Sequence, residues 1–131
     1  MIDLRWLLPA AFGLMLSPGL SAASGPLDRD ALEMLLSGNT TACRKEKDQS
    51  LCTNFFGADG YFKRHMHDDG AERIGRWFID DTDRLCILWD GRIKALCFAV
   101  LENADGTYDL IRNEKHISSI LEVIEGNPEG L

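Results

Sequence analysis

Leu85-Cys86-Ile87-Leu88-Trp89-Asp90-Gly91-Arg92-Ile93-Lys94-Ala95-Leu96-Cys97-Phe98-Ala99-Val100-Leu101 is the stretch on which the fold turns. Two runs, each apolar at odd and even positions alike, flank an Asp-Gly turn signal. A strand with two apolar faces is covered on both, so the pair reads as the centre of an antiparallel sheet. The turn sets the register. With Gly91 and Arg92 as its central residues, Asp90 faces Ile93 and Cys86 falls opposite Cys97; with Asp90-Gly91 central, Cys86 faces Ala95. We favour the first, which leaves Cys43 and Cys52 to close a short loop.

The same punctuation recurs on either side. Asp59-Gly60, Asp69-Gly70 and Asp105-Gly106 repeat the signal, and polar Asp80-Asp81-Thr82-Asp83 adds another break. Asp-Gly favours positive φ in tight hairpins, and signals at this spacing bracket strands of ordinary length. Strands are predicted over 51–57, 60–67, 71–79, 84–90, 94–102, 107–112 and 117–124. In the second of these, Tyr61, Lys63, His65 and His67 alternate with Phe62, Arg64 and Met66. Neither face is purely apolar, which suits an edge or a rim.

Upstream, Asp28 can cap a helix running to about Ser37, with Leu27 stapling onto Leu32 and Gly38 ending it. Leu27, Ala31, Leu32, Leu35 and Leu36 form one apolar stripe that needs a sheet to lie on. The predicted fold class is mostly β (α+β): a short N-terminal helix packed on a curled antiparallel meander of six or seven strands, with two disulfides.

The first residues read differently from the rest. Met1 to Arg5 is short and polar, Trp6 to Leu16 is an apolar run, Pro18-Gly19 breaks it, and Ser21-Ala22-Ala23 supplies small residues for cleavage. This is a signal-peptide pattern, although Asp3 cancels Arg5 where such regions are normally basic. The apolar run is about half the roughly 20 residues needed to span a bilayer. The domains are therefore a signal peptide, 1–23, and one β-rich domain, 24–131, with no stable membrane insertion after cleavage. All four cysteines lie in the second part. An even count in a small exported domain reads as two disulfides among Cys43, Cys52, Cys86 and Cys97, and the expected location is periplasmic or extracellular.

The formal charge is −7. Without a Lys/Arg cluster to override it, this argues against nucleic acid as a partner and allows a cation or a basic envelope protein. Asp68, Asp69, Asp80, Asp81 and Asp83 form the acidic surface such a protein would meet.

Candidate chemistry is sparse. His65 and His67 at i and i+2 on a strand share a face and could chelate zinc or copper, with Met66 pointing away. His116 lies near Ser118 and Ser119, but no nucleophile elbow accompanies them. Paired carboxylates, including Glu122 and Glu125, sit where water keeps them ionised. Trp77, Trp89, Phe62, Phe78 and Tyr61 would line a ligand pocket if the sheet closed into a barrel; core filling is the simpler reading in a domain this small. Gly75 allows a close backbone or ring approach, or marks a bulge. No catalytic residue and no cofactor is assigned.

Several short elements follow one another in a specific order: Gly38-Asn39-Thr40 after the helix, the Asp59-Gly60 turn, Gly75-Arg76-Trp77, Cys86 to Trp89, Cys97, Asp105-Gly106-Thr107-Tyr108 and Gly126-Asn127-Pro128. On them, residues 38–131 resemble small exported bacterial proteins of unknown function of the DUF995 type. The resemblance implies an exported small domain and carries no catalytic residue over. The expected function is a non-enzymatic binding or inhibitor module; the alternative is a periplasmic metal-binding protein using His65 and His67.

Overall fold

The computed structural model describes residues 25–131, so the signal-peptide reading of 1–23 and the start of the second segment at Ser24 lie outside the described residues. Helix α1 (Arg29–Leu36) precedes eight strands: β1 (Asn39–Lys45), β2 (Leu51–Phe56), β3 (Tyr61–Met66), β4 (Glu72–Ile79), β5 (Leu85–Trp89), β6 (Leu96–Glu102), β7 (Tyr108–Arg112) and β8 (Lys115–Ile124). Each strand pairs antiparallel with the next, and β1 also pairs with β8, closing an up-and-down barrel.

Closure corrects the six- or seven-stranded curled meander. All seven predicted strands are present, with ends shifted by two residues or fewer. The eighth is β1, Asn39-Thr40-Thr41-Ala42-Cys43-Arg44-Lys45. It carries threonines and a cysteine where a half-buried strand usually alternates large apolar residues, yet Thr41 and Cys43 are buried. A closed barrel has no edges, so β3 is not an edge strand. Nor are β5 and β6 covered on both faces: Leu88, Ala99 and Leu101 point outward and are only half-buried.

The disulfides are Cys43–Cys52 and Cys86–Cys97, each joining directly opposed residues of neighbouring strands. Cys86 faces Cys97 in the register in which Asp90 faces Ile93. The ladder stops at Ile87 and Leu96, however, so a longer loop replaces the two-residue hairpin. The Asp-Gly turns follow their expected chemistry. Asp59, Asp69 and Asp105 each accept, through Oδ1, the N–H two residues on, and Gly60 and Gly106 sit at φ 94° and 87°, the conformation that glycine adopts without steric cost.

Asp28 caps α1 by accepting from the Ala31 N–H. The helix packs over one end of the barrel, where the Leu27 N–H donates to the Val100 carbonyl and the Arg29 guanidinium to the Ile79 and Asp80 carbonyls. Leu32 and Leu36 are fully buried in the core with Phe56, Trp77, Ile79 and Val100. Burying a leucine side chain is worth about 1.5–3 kcal/mol, so these two carry most of the attachment. Trp77 lies edge-on to Phe56, 5.4 Å between ring centroids, and donates through Nε1 to the Gly57 carbonyl at 2.7 Å. At the same end Gly126 closes on the start of β1: its N–H donates to Asn39 Oδ1 and its carbonyl accepts from the Thr40 hydroxyl.

Candidate functional site

Side chains alternate inward and outward along each strand, and inward positions opposite the α1 end do not fill the barrel. A cavity of about 480 Å³ runs from Phe56 and Leu85 to Lys45, Glu46, Lys47, Lys115, His116 and Ile117 at the far end. It lies in the range typical of small-molecule sites, about 300–1,000 Å³. Its wall is mainly apolar: Phe62, Ile87, Trp89, Leu96, Phe98 and Leu110.

Three polar side chains interrupt that wall. Asn54 on β2 and Arg64 on β3 are register partners, and Arg64 Nε donates to Asn54 Oδ1 at 2.9 Å; Ser118 is the third. Arg64 in turn faces Arg73 on β4. Both guanidiniums lie over the Trp89 indole, with Cζ 5.3 Å and 4.0 Å from the ring centroid. Burial and the charge of Arg73 lower the Arg64 pKa to about 10, which still leaves it cationic at neutral pH. Among the described residues neither arginine is ion-paired with a carboxylate, whereas Arg29, Arg44 and Arg84 are.

Gly75 explains the placing of Trp89. On β4 it lies between Phe62 of β3 and Trp89 of β5. With no side chain in the way, the two rings meet at 5.3 Å. A Cβ on Gly75 would collide with the Leu88 carbonyl oxygen and Trp89 Cα. The close approach read from the sequence is therefore present.

The other sequence candidates fall elsewhere. His65 and His67 lie on the outer side, ring centroids 6.2 Å apart, with His65 Nδ1 3.1 Å from Glu72 Oε2 and His67 Nε2 2.7 Å from Thr53 Oγ1. Among the described residues, the group of three potential ligands close enough to share an ion is Asp80, Cys86 and Cys97; those cysteines are oxidised to a disulfide.

His116 Nε2 lies 2.8 Å from Ser119 Oγ and 3.4 Å from Asp109 Oδ1. A catalytic triad sets the acid on Nδ1 and the serine on Nε2, whereas here one nitrogen meets both. Ser119 is 2% exposed and donates its proton to Glu46 Oε2 at 2.8 Å, so His116 Nε2–H is the donor to Ser119. A ring nitrogen in that role accepts no proton from the serine. Glu46, held below the usual carboxylate range chiefly by Ser119 and further by Arg44, ties the β1–β2 turn to β8.

The five aspartates form no single surface. Asp68 and Asp69 occupy the β3–β4 turn at the open end, and Asp80, Asp81 and Asp83 the β4–β5 turn at the α1 end. Asp80 is engaged by Arg84 and Thr82. Of the aromatics, Trp89 and Phe62 line the cavity, Trp77 is core at the closed end and Phe78 points outward, 44% exposed. The sequence reading missed Arg64 and Arg73. The available signal was Arg64 itself, standing on the inward face between Phe62 and Met66.

No family model matches the chain, and neither a curated protein nor a solved structure is significantly similar to it.

Proposed function

We propose that the protein is an exported binding module that holds one small, largely apolar molecule inside its barrel. The cavity carries this reading: about 480 Å³, lined by aromatic and aliphatic side chains, sealed at one end by Leu32 and Leu36 and reached from the other. An eight-stranded barrel is wide enough to enclose a single small ligand, and a mainly apolar cavity of this size rewards an apolar guest through the hydrophobic effect. Two disulfides suit a protein working in an oxidising compartment, in line with the signal-peptide pattern.

The test is titration of the oxidised protein with N-phenyl-1-naphthylamine, an uncharged dye whose emission rises in apolar surroundings. The expected result is saturable binding at one site per chain, at micromolar dye. Leu96→Trp puts added bulk where the cavity wall reaches solvent and is expected to weaken dye binding at least tenfold with little change in melting temperature. Absence of saturable binding by the folded wild-type protein would remove the proposal.

A further inference from the structure

We propose that the ligand is an amphipathic anion, with a single carboxylate or phosphate head held by Arg64 and Arg73 and an apolar body laid along Phe62, Ile87, Phe98 and Leu110. This rests on the reading of the cavity as a ligand site and adds the chemistry of its occupant.

The charge arrangement points there. The chain has 21 acidic and 14 basic residues, and among the described residues Arg29, Arg44 and Arg84 each reach a carboxylate. Arg64 instead stands in an apolar wall with Asn54 as its hydrogen-bond partner and a second guanidinium opposite. Partial burial without a counter-charge and a like charge across the strand are both unfavourable. One anion between the two arginines would relieve both.

Geometry narrows the class further. Trp89 holds the two guanidiniums over its ring, so their donors are in place before a ligand arrives. Planar, forked donors fit the two oxygens of a carboxylate or phosphate better than a point charge does. The cavity lining at the opening carries Lys45, Lys47 and Lys115 against Glu46, a local excess of cations beside the anion's path, with Asp68 and Asp69 in the β3–β4 turn at the same end. The cavity has the volume of roughly 16 waters at liquid density, which suits a body of about ten carbons.

The experiment is displacement of bound N-phenyl-1-naphthylamine from the oxidised protein by decanoate, decyl phosphate and decanol at neutral pH and fixed salt. Both anions are expected to displace the dye at concentrations at least tenfold below decanol, and the tighter of the two names the head group. Arg73→Gln should cost the anions about tenfold while leaving the dye and decanol within twofold; Arg64→Gln should lower the affinity of the anions relative to decanol about tenfold, and Arg64→Lys should fall between. Arg73 is exposed at the rim, so its variant carries the test if Arg64→Gln does not fold.

If the dye binds but decanol competes as well as decanoate, or the glutamine variants leave the anion preference intact, the anion proposal falls and the cavity reading stands. If the folded protein binds no dye saturably, both fall together.

Discussion

Arg64 and Arg73 stand directly opposite one another on neighbouring strands, and each lays its guanidinium over the same indole, that of Trp89. Their contributions to stability differ because their surroundings differ. Arg73 is exposed; its contact with Trp89 is worth about 0.5–1 kcal/mol and its repulsion from Arg64 costs a similar amount. Arg73→Gln is therefore expected to change the unfolding free energy by less than about 0.5 kcal/mol. Arg64→Ala removes packing from the wall and the donor from Asn54, which is 5% exposed, and should cost about 1–3 kcal/mol. Urea unfolding at neutral pH checks both; a loss above about 1 kcal/mol in Arg73→Gln would show that its contact with Trp89 outweighs the repulsion.

Gly75→Ala tests the seat of the same indole. The added methyl meets backbone atoms of Leu88 and Trp89, which cannot rotate away as a side-chain tip can. The β4–β5 ladder must spread at that point, at a cost of about 1–3 kcal/mol. Trp89 fluorescence should shift as the ring leaves Phe62. A variant as stable as the wild type, with unchanged emission, would contradict the close approach.

Much of this was legible in the sequence, and the misses share a cause. Asp28, the Asp-Gly turns and the facing of Cys86 with Cys97 are local or register-level features, and each follows from a few neighbouring residues. Strand β1 escaped because its inward positions are Thr41 and Cys43, which carry no period-two apolar signal. Missing β1 hid the closure, and closure is what turns Phe62 and Trp89 from filling into the wall of a cavity. Arg64 and Arg73 become neighbours through pairing of β3 with β4, and no spacing within either segment announces that they share Trp89.

The weak apolar content of β1 has its own consequence. Its ladders to β2 and β8, together with Cys43–Cys52, hold a strand that buries little apolar surface. Replacing both Cys43 and Cys52 by alanine is expected to lower stability by about 2–4 kcal/mol and to speed amide exchange over 39–45 and 118–124 above all. The disulfide Cys86–Cys97 closes a loop of similar length but joins strands lined by Leu85, Ile87, Phe98 and Val100, so exchange should rise less steeply in the variant that lacks it. Equal acceleration of β1 in both variants would argue that the barrel opens only as a unit.

Acid stability is set in part by the β4–β5 turn. The burial of Asp80 would raise its pKa, but hydrogen bonds from Arg84 and Thr82 outweigh this and lower it to about 2, against 3.8 for an ordinary aspartate. The folded state thus favours the ionised form. Its stabilising effect is fully present above about pH 4 and is lost as pH falls toward 2. Glu72, held low chiefly by His65, acts in the same direction. Asp80→Asn should melt at a lower temperature than the wild type at pH 7, because the pair with Arg84 is gone, and the two melting curves should converge as pH approaches 2. Melting temperatures measured from pH 7 to pH 2 decide it; a gap that stays constant across that range would mean that Asp80 supports the turn by shape, and its charge contributes nothing.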